Sequence, residues 1–256
     1  MQSHKFLAIL TGALLTNALV YFGLTNAVVA AATVGLVFAV IAVAGRLKTM
    51  TELLPMIYMG TFVGMSNLKS LSLPIALLSL VLASVGAFLL TQLLAKRFIG
   101  MGGKLGLIAF AAGVPVFLAQ SMFQSGQSME LDGNAAVTMA AIAMVVLMIS
   151  VHLRKLVANP VGVSAFISLL GALTPYPALI MSASFAGMSS DQNMSGWRLT
   201  ALAFIFATVF GLTSGLVQGV GGWLGFMACI SVLTMVTGEK IVMSIRSTLT
   251  QAEEAA

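Results

Sequence analysis

Long apolar runs alternate with short polar interruptions along the whole chain. A membrane-spanning helix needs about 20 mostly apolar residues, with about 17 to 25 the usual range. On that basis the runs predict nine candidate helices, at 6–22, 26–45, 52–66, 72–95, 105–122, 135–152, 161–186, 198–217 and 222–243. The expected fold class is all-α, a polytopic integral membrane protein with eight to nine transmembrane helices. Two candidates are irregular. The third, 52–66, is short and contains Pro55, Gly60 and Gly64. The seventh, 161–186, is interrupted by "TPYP" at 174–177, where the prolines remove backbone donors and bar a regular helix. Short or broken helices persist in a bilayer where neighbouring helices or a water-lined cavity satisfy the freed backbone groups.

The two irregular places carry one motif. "GTFVGMSN" occupies 60–67 and "SASFAGMSS" occupies 182–190, each writing Phe-x-Gly-Met-Ser. Three further pairs keep the same order: "TNAVV" (25–29) with "GNAAV" (133–137), "GRLK" (45–48) with "HLRK" (152–155), and "GMGGKLG" (100–106) with "GVGGWLG" (219–225). The order implies an internal duplication: a first membrane repeat over 1–100, a second over 101–220, and a terminal helix with a short polar tail over 221–256. An even number of helices per repeat would make these two similar four-helix repeats parallel, related by an axis along the membrane normal.

Composition strengthens the membrane reading. Hydrophobic residues make up 59% of the chain and charged residues 7%, and the mean hydropathy is +1.07. Soluble domains carry about 25% charged residues, so this chain cannot cover a water-facing surface in the usual way. The first run follows His4 and Lys5 like a signal peptide, but the same texture continues to the end, so 6–22 reads as a spanning helix. The net charge of +5 points to basic loops facing cytoplasm and anionic lipid, with no nucleic-acid partner.

Charge also orients the chain. The stretches 4–5, 45–48, 95–104 and 152–155 collect most of the loop bases, while the alternate loops hold Lys69 as their base with Glu130, Asp132 and Asp191. If every candidate spans, the basic loops fall on one side, as the positive-inside rule requires, with a cytoplasmic N-terminus in a bacterial inner membrane. Nine spans would then put the C-terminus outside, against the preference of Lys240 and Arg246.

Candidate chemistry is sparse. The carboxylates Glu52, Glu130, Asp132, Asp191, Glu239, Glu253 and Glu254 all fall in loops, helix ends or the tail. Buried acids mark proton relays and ion-coupling sites, so coupling through a buried carboxylate is disfavoured. Without paired carboxylates or a histidine beside a nucleophile, an enzyme is not expected. One cysteine and two histidines make no zinc or haem set, and the seventeen methionines read as adaptable apolar filler. No cofactor is expected.

The remaining candidates line the repeated motif. Gly60, Gly64 and Gly187 would let backbone approach closely, and Thr61, Ser66, Asn67, Ser182, Ser184, Ser189 and Ser190 would offer neutral hydrogen-bonding groups along a pathway. The competing reading is small-residue helix packing, as in the four-residue spacing of "GTFVG". Asn26, Asn134 and Gln218 are secondary candidates; the asparagines also suit helix N-caps. The expected function is a small permease or channel-like protein moving a small polar solute or ion between the repeats. The alternative is a non-transporting membrane subunit that binds a partner protein or lipid. Expected partners are therefore membrane lipid, the solute, and a second copy or another membrane protein.

Overall fold

The computed structural model describes residues 2–118, 133–157, 159–190, 194, 196–217 and 219–254. Among these residues the chain is all-helical: α1 (Gln2–Tyr21), α2 (Ala27–Ala44), α3 (Lys48–Gly64), α4 (Leu73–Leu93), α5 (Lys104–Leu118), α6 (Gly133–Val157), α7 (Pro160–Gly171), α8 (Pro177–Ala186), α9 (Trp197–Thr213) and α10 (Trp223–Glu254). Five stretches are long and apolar enough to cross a membrane: Gln2–Tyr21, Ala27–Ala44, Leu73–Leu93, Gly133–Val157 and Trp223–Thr248. Four others, α5, α7, α8 and α9, are shorter apolar helices. Large apolar side chains such as Leu78, Leu89, Val145 and Phe204 are exposed on the outer faces, as lipid contact requires.

Local sequence sets the helix starts. Asn26 caps α2, its side chain accepting from Val29 N–H at 2.9 Å. Asn159 caps α7 through Gly162 N–H at 3.0 Å, with Pro160 in the first turn, where its missing donor costs nothing. Residues 172–176 form the break expected at "TPYP", and the chain reverses there, because Gly171 lies against Ile180. The seventh candidate is therefore two short antiparallel helices, α7 and α8. The third is one continuous helix despite Pro55.

Close approaches fix the helix directions. A Cβ on Gly12 would collide with Ile57 and one on Gly64 with Ala13 and Thr16, so α1 and α3 run parallel, backbone against backbone. Phe6 meets Phe88 with ring centroids 6.2 Å apart, and Tyr21 donates to Leu71 O at 3.1 Å, so α4 runs antiparallel to α1. Gly35 lies near Ala165 and Gly162 near Ala39, making α2 and α7 antiparallel. Gly103 lies near Cys229 and Gly222 near Phe110, making α5 and α10 antiparallel too.

The contacts between helices follow a pattern. α1 packs on α3 and α4 as α6 packs on α8 and α9; α3 packs on α5 as α8 packs on α10; α4 packs on α5 as α9 packs on α10. In addition, α2 packs on α7 and α5 on α10.

Candidate functional site

The two Phe-x-Gly-Met-Ser segments end α3 and α8, and the fold brings them together. The rings of Phe62 and Phe185 lie 4.8 Å apart at 54°. Tyr58 completes the cluster, 4.7 Å from Phe62 and 6.1 Å from Phe185. All three are buried almost completely.

Each motif then grips a glycine loop distant from it in sequence. Ser66 Oγ accepts from Gly221 N–H at 3.0 Å, and Asn67 N–H donates to Gly219 O at 2.9 Å. In the matching pair, Ser189 Oγ accepts from Gly102 N–H at 2.7 Å, and Ser190 N–H donates to Gly100 O at 2.8 Å. Each serine hydroxyl spends its own proton on a carbonyl three residues back, Val63 O and Ala186 O, so it is left as an acceptor for the loop. Glycine is required in these loops for two reasons. Gly100, Gly103, Gly219 and Gly222 have φ between 73° and 86°, the left-handed region. Gly102 and Gly221 sit where a Cβ would strike the carbonyls of Phe185 and Phe62.

Two cavities flank the aromatic pair. One of about 400 Å³ is lined by Phe62, Phe185, Met188 and the loop from Phe98 to Leu105, including Lys104. The other, of about 70 Å³, is lined by Phe62, Met65, Phe185 and the loop from Gly219 to Gly225. Both contain the start of a helix, α5 or α10, where first-turn N–H groups lack intrahelical acceptors and the helix dipole is positive.

The sequence candidates divide into three groups. Ser66, Asn67, Ser189 and Ser190 meet the loops as described. Gly60 and Gly64 press against the backbone of α1, and Gly187 against Ser150 of α6. Thr61, Ser182 and Ser184 are buried and donate to Tyr58 O (2.7 Å), Leu224 O (2.6 Å) and Met181 O (2.7 Å). Ser184 Oγ also lies 2.7 Å from Ser164 Oγ, and Tyr58 donates to that serine at 3.4 Å. Asn26 and Asn134 are exposed near the starts of α2 and α6, away from this centre. Gln218 lies outside the described residues.

Sequence reasoning passed over Phe62, Phe185, Tyr58, Lys104 and the central glycines as site residues. The glycines were visible as the matched pair "GMGGKLG" and "GVGGWLG". Tyr58 is fully buried because α3 packs at the centre of the bundle.

The arrangement is an all-helical bundle, five of whose described helices are long and apolar enough to cross a membrane, with a junction of four helix ends at its centre. No family model, curated protein or solved structure matches this chain.

Proposed function

We propose that the chain is a small permease whose pathway crosses the Phe62–Phe185 junction, carrying a small polar solute or ion. One observation carries this reading. Two cavities, each built on a positive helix end, sit on either side of a single aromatic closure made by the repeated motif. The matched hydrogen bonds and helix contacts support two repeats of five helices, α1–α5 and α6–α10, in place of four-helix repeats with a terminal helix. The antiparallel crossings of α2 with α7 and α5 with α10 favour inverted repeats, related by an axis in the membrane plane, over parallel ones. Inverted repeats suit a pathway that opens alternately to either side.

The same directions bring both termini to one end of the bundle. Of the twelve lysines and arginines, all but Lys69 then belong to that end. This supports a cytoplasmic N-terminus, and a C-terminus on the same side would remove the conflict at Lys240 and Arg246. A bacterial inner membrane remains our assignment of compartment.

A second reading, the non-transporting subunit, is favoured by a different observation. The buried hydroxyls of the junction are spent on internal acceptors, and apolar grooves of about 620 Å³ and 420 Å³ lie elsewhere on the surface. Flux into proteoliposomes separates the two. Substituting Phe62 or Phe185 by alanine widens the closure and is expected to raise leak or uptake; a subunit shows no flux in any variant.

A further inference from the structure

We infer that the larger central cavity is a binding site for one small anion, with Lys104 setting the sign of the charge it accepts. The inference deepens the permease reading by naming a substrate class, and it rests on that reading only for the fate of the bound ion.

The cavity, about 400 Å³, is large enough for a small oxyanion or carboxylate with some of its water. Its walls are largely apolar: Phe62, Phe98, Ile99, Phe185 and Met188. Lys104 is the one charged side chain among its lining residues. Its Nζ donates to Leu94 O at 2.9 Å and Arg97 O at 2.7 Å, and reaches Ala95 O at 3.5 Å. Those carbonyls satisfy its donors without removing its charge. They lie at and just past the C-terminal end of α4, which carries roughly half a negative charge, while α5 begins at Lys104 with roughly half a positive one. The two helix ends offset each other and leave about one unit of positive charge on the wall of a partly open, largely apolar pocket.

The surroundings add to that sign. Lys96 and Arg97 are exposed on the same loop. Of the described carboxylates, Glu239 is engaged with Arg198 at 2.6 Å, and Glu52 is exposed on α3. Charge of one sign in a low-dielectric cleft concentrates ions of the other sign. The counterpart position in the second glycine loop is Trp223, stacked on Phe226 at 5.0 Å and 4.9 Å from Phe110. That side has no charge and only about 70 Å³ of space, so one site per chain is expected.

The test is equilibrium dialysis of the full chain in detergent against radiolabelled sulfate and acetate, with ethylammonium as the cationic control. Saturable binding of at least one anion is expected, with one site per chain and no saturable binding of ethylammonium. Lys104→Gln should weaken binding at least tenfold, and Lys104→Arg should retain it within a few-fold. Arg97→Glu, at an exposed position beside the cavity, should weaken it several-fold and provides the test if Lys104→Gln does not fold. Lack of saturable binding for both anions overturns the inference, as does binding that neither Lys104→Gln nor Arg97→Glu alters. Failure of transport is separable: saturable anion binding without flux would sink the permease reading alone, while flux without anion preference would sink this inference alone.

Discussion

Replacing Gly221 by alanine should destabilise the protein far more than its small size suggests. The added methyl would strike Phe62 O and lie 2.9 Å from Ser66 Oγ and 3.0 Å from Phe62 C, Phe62 being held within α3 and Ser66 tied back to it through Val63 O. None of these atoms belongs to the far end of a flexible side chain. The backbone of Gly221 is outside the left-handed region, so alanine fits its conformation and the loss isolates the contact. Overpacking of this kind costs about 1–3 kcal/mol, and weakening the Gly221 N–H bond to Ser66 adds about 1 kcal/mol. The sum, about 2–4 kcal/mol, is roughly a 30- to 700-fold loss in the folding equilibrium at about 1.4 kcal/mol per tenfold. Gly102→Ala should behave alike, since its methyl would meet Phe185 O and lie 2.6 Å from Ala186 O. The control is Gly238→Ala, exposed in α10 with nothing within 4 Å of its Cβ, where helix propensity predicts a gain of up to about 1 kcal/mol. Denaturation in mixed micelles, followed by circular dichroism, gives the three differences. If Gly221→Ala and Gly102→Ala match the control, the loops do not press on the motifs and the junction described here is wrong.

Other substitutions read other parts of the account. Ser66→Ala and Ser189→Ala each leave a buried glycine N–H without its acceptor, so each should cost about 1–3 kcal/mol in the same assay. Tyr58→Phe removes a long 3.4 Å bond while Ser164 keeps Ser184, so the loss should stay below about 1 kcal/mol by the same measurement. Arg198→Ala breaks the ion pair to Glu239, whose members are 28% and 16% exposed; the expected cost is about 1 kcal/mol or less, shrinking as salt is raised.

Much of this architecture was legible because its constraints are local. Apolar run length locates helices, and a carbonyl pressed against a Cα demands glycine, so "GMGG" and "GVGG" stand out against their neighbours. The repeated Phe-x-Gly-Met-Ser pointed to the two helix ends that meet. What the sequence hid was direction. Pro175 and Pro177 forbid a helix through 174–177, yet the same prolines permit either a kink or a reversal. The reversal between α7 and α8 changes the parity of every later helix, and with it the side of Arg198, Lys240 and Arg246. The partners of the candidate side chains were hidden for a related reason. Hydroxyls look like pathway lining in a string, whereas Thr61, Ser182 and Ser184 are spent on carbonyls. Phe62 and Phe185 look like ordinary core until α3 and α8 are seen to end against each other.

The most direct test of the permease account is uptake by proteoliposomes holding the purified chain, with sulfate, acetate, ethylammonium and urea as solutes. The account predicts uptake of at least one solute above protein-free liposomes, slowed by Phe185→Trp, which adds bulk at the closure, and raised by Phe185→Ala. Rates equal to protein-free liposomes for all four solutes, in wild type and both variants with folding intact, would contradict it.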